Sequence, residues 1–427
     1  MKAGDIVALE VSALDARGDG VGELDGRRVV VTGAFPSERV RVRVEAVSRQ
    51  HPRAFARLLE VERPHPGRRA PPCPRHVARG GACTGCPLMG LSVEAQRDAK
   101  ADRARGLGLP IEERLRGGAA LGYRASSKRV VGGAPGRVIL GSYARGTHDV
   151  ADMRGCLVDH PRIAEVADAI ADAASALGVV PDDGAAGDLR YVWLKTDGER
   201  VLATLITRSA ESRAPELAAR VAHLAAVAWS VQPSSGNAIR GGEARPLTGP
   251  RALEVALGGR RTSVGPLGFL QPNPDVAGRA YEALVRDAEG ELASGVVALD
   301  LYAGAGVTTA MLRERFAEVV PCEAYPESAA ALGVPPEEAA PFVARWVGRA
   351  VDLVVANPPR TGLGPEVCAA LARLAPARLH IMSCDADTLA RDLDELASAF
   401  VLERVVAFDT LPETPHLELV AHLSARR

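Results

Sequence analysis

The chain lacks net charge. Its 52 Lys and Arg nearly cancel 53 Asp and Glu, so charge summed over 427 residues points to no partner. It lacks a run of about 18 apolar residues, which speaks against a membrane span, and it lacks any fixed internal period, which excludes repeat architectures. Asp5 and Glu10 interrupt the apolar pattern of the first residues, so these do not read as a signal peptide. A cytoplasmic protein is the expectation. Lysine is nearly missing: only Lys2, Lys100, Lys128 and Lys195 occur, the mark of an arginine-rich proteome. With 47% hydrophobic residues, intrinsic disorder is excluded and two to four globular domains are expected.

What is present is unevenly distributed. Thirteen arginines lie between Arg27 and Arg79 against only Glu38, Glu45, Glu60 and Glu62. Proteome bias explains Arg over Lys but not Arg over Glu, so this end is expected to meet a polyanion. The same stretch reads as short strands, Ile6–Val11, Arg28–Thr32, Arg39–Val47 and Phe55–Val61, separated by glycine-rich turns. Such spacing predicts a small β-barrel. A proline-rich linker, Pro64–Pro74, leads to Cys73, Cys83 and Cys86 among Pro and Gly; Cys156, Cys322, Cys368 and Cys384 stand alone. Without an export signal, metal or catalytic roles are expected of these cysteines before disulfides.

Ser92–Leu107 has helical character with Ser92 as N-cap. Strands over Arg137–Ser142, Tyr191–Thr196 and Arg200–Thr207 and a helix near Ile163–Leu177 make a central α/β domain. Beyond Phe269 the alternation of strands, a glycine loop and helices predicts a doubly wound domain. Its expected strands are Val296–Leu301, Val319–Cys322, Leu353–Ala356, Leu379–Ser383, Val401–Phe408 and Glu418–Leu423.

Four motifs carry chemistry. In the first, a strand runs through Asp300 into a turn holding Gly304 and Gly306, and the next strand ends before Glu323. The glycines allow close backbone approach to a ligand, and an acid at Glu323 can take both ribose hydroxyls of a nucleoside. The third glycine of a dinucleotide fingerprint is missing, which favours S-adenosylmethionine over NAD. The second motif is Asn357-Pro-Pro-Arg360, where the prolines hold Asn357 at a strand end. Asn-Pro-Pro followed by an aromatic residue would mark amino methyltransferases, but Arg360 stands at that place. In the third, Cys384 ends an apolar strand and precedes a helix opened by Asp387 or Thr388, whose dipole would stabilise a thiolate. A buried structural cysteine is the alternative. In the fourth, the proline-rich stretch from Asp409 presents His416 and Glu418 two residues apart, on one face of an extended segment. Such a pair suits a general base; a solvated hairpin is the alternative.

In this order the motifs resemble the RNA 5-methyluridine methyltransferase family. The match runs through Asp300-Leu-Tyr-Ala-Gly-Ala-Gly306, Ser383-Cys-Asp-Ala-Asp-Thr-Leu-Ala-Arg-Asp392 and Leu411-Pro-Glu-Thr-Pro-His-Leu-Glu418, with Phe269-Leu-Gln-Pro-Asn273 before them. The resemblance implies a TRAM barrel of OB type over residues 1–62, a central domain with the cysteine cluster over 63–262, and a Rossmann-like methyltransferase domain over 263–427. It implies a monomer that uses S-adenosylmethionine to methylate C5 of a uridine in RNA, 23S ribosomal RNA before transfer RNA. Cys384 would be the nucleophile and Glu418 the base, with Gln271, Tyr302, Glu323 and Asn357 on the cofactor. Cys73, Cys83, Cys86 and Cys156 would hold a 4Fe-4S cluster, a count of thiols that also suits structural zinc.

Four departures from the family stand out. The first two cysteines have nine residues between them instead of five, and Asn357 replaces an aspartate. Asp385-Ala-Asp replaces Asn-Pro-x, and the segment between Glu323 and Val351 is short. An RNA-binding protein that keeps the fold with weakened catalysis is the rival expectation.

Overall fold

The computed structural model describes residues 1–426 except 112–114, 185, 235 and 237. Five strands, Ile6–Leu14, Gly20–Leu24, Arg27–Thr32, Arg39–Val47 and Arg53–Arg63, close into a barrel. Alternation builds its core: along Arg39–Val44 the valines are buried and the arginines exposed, the period of a half-buried strand. The strand Gly20–Leu24 was not expected, because its glycines read as a turn. They are there for close approach: a Cβ on Gly22 would stand 2.2 Å from the carbonyl oxygen of Glu10 on the neighbouring strand. Leu14 and Phe35 of the barrel pack with Leu88, Leu91, Ala95 and Ala99, which seats it on the helix Val93–Arg105. That helix is capped by Ser92, as expected.

The central sheet runs Ala244–Thr248, Ala226–Val231, Val201–Thr207, Leu189–Thr196, Ser126–Ala134, Arg137–Tyr143, Val150–Asp152. Every residue of Leu189–Thr196 and Val201–Thr207 is buried. The helices Pro161–Ala176 and Ala214–Val221 cover one face, and the hairpin Leu253–Leu257/Arg260–Val264 packs with Leu202, Ala226 and Ala228.

The third sheet has the order Phe316–Cys322, Gly295–Leu301, Leu353–Ala356, Arg378–Ser383, Glu418–Ala425, Phe400–Asp409, Arg116–Gly117. The first four strands are mutually parallel and Glu418–Ala425 is inserted antiparallel. Separate apolar clusters pack against it: one holds Phe342, Val343, Leu371 and Leu389, the other Val276, Ala280 and Leu284 of the helix Pro274–Leu284. Strand order reverses beside Gly295–Leu301, which opens a crevice at the carboxyl ends of the strands. The edge strand Arg116–Gly117 comes from the chain that precedes the central sheet, so the third sheet takes a strand from before the second sheet begins. Among the described residues no helix is long and apolar enough to cross a membrane.

Candidate active site

Register assembles the site. Leu301 pairs with both Cys322 and Ala356, so Tyr302, Glu323 and Asn357 leave the sheet in one row. Ser383 pairs with Leu419, so Cys384 and Glu418 stand one residue beyond that rung on antiparallel neighbours. All five, with Gln271 and Arg360, line one cavity of about 1200 Å³. Every catalytic and cofactor residue expected from the sequence is therefore brought to one place.

The glycine loop is held from both sides. Gly304 and Gly306 adopt φ of +55° and +76°, and Gly306 caps the helix Val307–Leu312. A Cβ on Gly306 would meet Leu332 Cδ2 at 2.6 Å. Tyr302 also has positive φ, +59°, a strained value for a residue with a Cβ. The Ala303 N–H donates to the Cys322 carbonyl at 3.0 Å and holds the turn. Glu323 receives the N–H of Gly304 at 2.8 Å and of Tyr325 at 2.7 Å, one on each carboxylate oxygen. Asp300 serves the scaffold instead. Buried, it accepts from the Thr308 and Thr309 hydroxyls and ties the strand to the helix. Burial raises its carboxyl to about 6. The Tyr302 phenol is raised to about 12, by burial first and then by Cys322.

Glu418 is buried, and desolvation lifts its carboxyl to about 8 against the pull of Arg360. The Cys384 thiol is also raised, by burial first and then by Glu418, with Arg360 opposing. This corrects the expected activation by a helix dipole. The helix Ala386–Leu396 is capped by Asp385, whose carboxylate accepts from the Thr388 N–H at 3.0 Å. The cap occupies that donor and sets a negative charge beside the sulfur. Asp385 thereby fills the capping role at the position where the family has asparagine. His416 lines the cavity and is neutral, lowered to about 4 by burial first.

Residues not foreseen hold the turn before Glu418 in place. Lys100, on Val93–Arg105, donates to Asp409 at 2.6 Å and to the carbonyls of Leu411 and His416. Gln96 donates to Glu413 at 2.8 Å and takes its backbone N–H. The turn that carries Glu418 is thus clamped by buried polar bonds to a helix some 300 residues earlier in the chain. Tyr281 was missed because its place on Pro274–Leu284 reads as core. Lysine rarity was a usable signal: in a chain with four, Lys100 and Lys195 are fully buried and Lys128 lines the cavity.

The cysteine loop departs from expectation. Cys83, Cys86 and Cys156 share a neighbourhood, and burial followed by Cys156 pushes the Cys86 thiol up. Yet among the described residues no three His, Cys, Asp or Glu side chains are gathered to hold a metal ion. The four thiols, as placed, do not fit a coordination shell. The loop is folded around His76 instead. Its Nδ1 accepts from the Ala78 N–H and its Nε2 faces the Cys86 carbonyl, both at 3.1 Å, which requires the Nε2–H tautomer. The long gap between Cys73 and Cys83 contains this turn.

Comparison with known proteins decides the family. Residues 348–426 match the tRNA (uracil-5-)-methyltransferase family model. An uncharacterized RNA methyltransferase of Geobacter sulfurreducens is 34% identical over 99% of this chain and 90% of its own length. The chain belongs to this family of RNA methyltransferases. A second such relative, from Gloeobacter violaceus, is 29% identical over 98% of this chain and 96% of its own. The tRNA (uracil-54, C5)-methyltransferase of Pyrococcus abyssi, solved with S-adenosyl-L-homocysteine, shares the fold with a TM-score of 0.73 at 21% identity, covering 98% of this chain and 100% of that one. Within this RNA methyltransferase fold, the N-terminal barrel and the Rossmann-like domain stand as expected.

Proposed function

We propose that the protein methylates C5 of a uridine in RNA, with S-adenosylmethionine as donor, through a covalent adduct on Cys384. The observation that carries this is the antiparallel rung Ser383–Leu419, which sets a thiol and a buried carboxyl side by side at the glycine-loop cavity. Glu323, Gln271, Tyr302 and Asn357 would hold the donor: the open backbone at Gly304 on the cavity wall and the Glu323 carboxylate suit a nucleoside. When bound, S-adenosylmethionine supplies an electrophilic methyl group. Uracil C5 is a poor nucleophile until sulfur adds to C6. The Cys384 thiolate forms the S–C6 bond, and the C5=C6 electron pair makes C5 reactive. After methylation Glu418 takes the C5 proton, the double bond re-forms and the C6–S bond breaks. Reaching both groups requires the base to leave its stack.

Ribosomal rather than transfer RNA is the substrate proposed, on the family resemblance and the arginine-rich barrel. Methylation assays on both RNAs test it. The 4Fe-4S cluster is a proposal of that resemblance alone, since the four thiols as placed do not gather into a coordination shell among the described residues. Broad visible absorbance after anaerobic purification, lost in Cys83→Ser, is its signature; colourless protein with stoichiometric zinc would refute it. The methylation steps above do not pass through it.

The functional test is covalent trapping. RNA containing 5-fluorouridine has no C5 proton to lose, so the adduct should persist as a slower band on a denaturing gel. Cys384→Ala should give neither adduct nor product. A variant lacking Cys384 that still methylates, or a wild-type protein that never forms the adduct, would refute the mechanism.

A further inference from the structure

Tyr281 is a buried phenol in the wall of the cavity, on the helix Pro274–Leu284. Its oxygen accepts two hydrogen bonds, from Gln271 Nε2 and from Asn357 Nδ2, each 3.3 Å long. A phenol has one proton to give, and two N–H donors occupy its acceptor side. Among the described residues, no oxygen takes the Tyr281 proton in return. A buried donor without an acceptor is costly unless a ligand satisfies it. Here the open side is the cavity.

We infer that Tyr281 donates a hydrogen bond to O4 of the target uracil and stabilises the enolate formed when Cys384 adds to C6. The inference rests on the proposed uracil-C5 chemistry and names a further residue for it. Conjugation dictates the atom. When the S–C6 bond forms, the C5=C6 pair moves toward C4, and negative charge collects on O4; the thiol proton has already passed to solvent. C4 adjoins C5, whose proton Glu418 removes, and Glu418 heads the charges that act on Tyr281. O2 lies outside this conjugation and receives no such charge.

The departure at position 357 fits the same account. A carboxylate there would accept the phenol proton and turn it away from the cavity. The amide of Asn357 donates instead, which leaves the proton directed at the ligand. Burial raises the Tyr281 phenol to about 12, so it donates a hydrogen bond and keeps its proton throughout.

Single-turnover methylation at saturating S-adenosylmethionine tests the contact, using an RNA that the wild-type protein methylates. Two versions of the RNA are compared, with uridine or 4-thiouridine at the target. Tyr281→Phe keeps the ring that fills the core and removes only the hydroxyl. On uridine RNA it should slow the reaction on the order of a hundredfold, the usual cost of one oxyanion donor. On 4-thiouridine RNA, whose sulfur is a weak acceptor, the penalty should nearly vanish. Equal penalties on the two RNAs would show that Tyr281 only positions Gln271 and Asn357, and would overturn the contact. No penalty on uridine RNA would overturn it as well. A wild-type protein that forms no C5-methylated product would instead overturn the functional reading beneath it.

Discussion

Glu418 suits the proposed base because it is a poor anion. Burial raises its carboxyl from 4.5 to about 8, so at neutral pH most of it carries a proton and only a small fraction is ready to take one. A base with a pKa near that of the medium transfers protons well in both directions. The step that needs the ionised form should therefore accelerate about tenfold per pH unit below 8 and level off above it. Because the shifted Cys384 thiol would bend a profile in the same sense, the two must be separated by step. Adduct formation with 5-fluorouridine RNA reports Cys384 alone, whereas release of methylated uridine RNA reports Glu418. In Glu418→Gln the methylated adduct should accumulate and product release should lose its pH dependence. Release at the wild-type rate would remove Glu418 from the mechanism. Stability moves the opposite way. The folded protein holds the Glu418 proton between pH 4.5 and about 8 while the unfolded chain has released it, so this group's contribution falls as pH rises through that window. Glu418→Gln should accordingly melt higher than wild type at pH 8, with the difference gone below pH 4.5.

Elements were legible where one period dominates. The barrel strands with alternating Val and Arg, the helix over Pro161–Ala176 and the parallel strands of the last sheet all follow local pattern, and their observed bounds lie close to those expected. Gly20–Leu24 was hidden because close interstrand approach demands the residue type that also makes turns. Motif spacing placed Cys384, Glu418, Glu323 and Asn357 at strand ends, and strand ends of one doubly wound sheet share one edge. What could not be read is what crosses between elements. Lys100 and Asp409 are 309 positions apart, and nothing local in either segment marks the pair. Tyr281 looks like an apolar helix position because its ring is one; only its hydroxyl, meeting Gln271 and Asn357, belongs to the site. The thiol activation was misjudged for a related reason. A helix start following a cysteine is visible in sequence, but whether its donors are free depends on the cap, and Asp385 takes one of them. The proline-rich turn shows the limit: its own Thr414 bonds to Leu411 and His416 are local, but the clamp that fixes it comes from Val93–Arg105, on the other side of the central sheet in chain order.

At the scale of the whole molecule, arginine excess has to be divided between structure and RNA. Much of it is internal. Arg39, Arg41, Arg57 and Arg63 pair with Glu10, Glu45, Glu60 and Glu62 across the barrel surface. Arg68 binds the buried Glu38, and Arg69 reaches Glu413 in the turn that leads to Glu418. Arg68 and Arg69 thus tie the linker to the barrel and to the last domain, whereas the exposed pairs within the barrel contribute little stability each. Arg28, Arg43 and Arg49 are different: exposed, they make no ion pair with another described residue. The strands of Arg28 and Arg43 flank Arg53–Arg63 on its two sides, and Arg49 lies in the loop that enters it. On that strand Phe55 is 43% exposed with the Arg53 guanidinium 4.8 Å from its ring centre, a surface on which an unpaired base can stack. These three arginines are the ones expected to replace counterions on the RNA backbone. Changing all three to Gln should weaken binding at low salt and flatten the plot of log affinity against log salt by about two units, at roughly 0.7 per phosphate contact on single strands. Single-turnover methylation at saturating RNA should be unchanged, since none of the three lines the cavity. An unaltered slope would mean that the barrel's arginines are a solvated face and that the cavity-side cations Lys128, Arg240 and Arg360 carry the RNA.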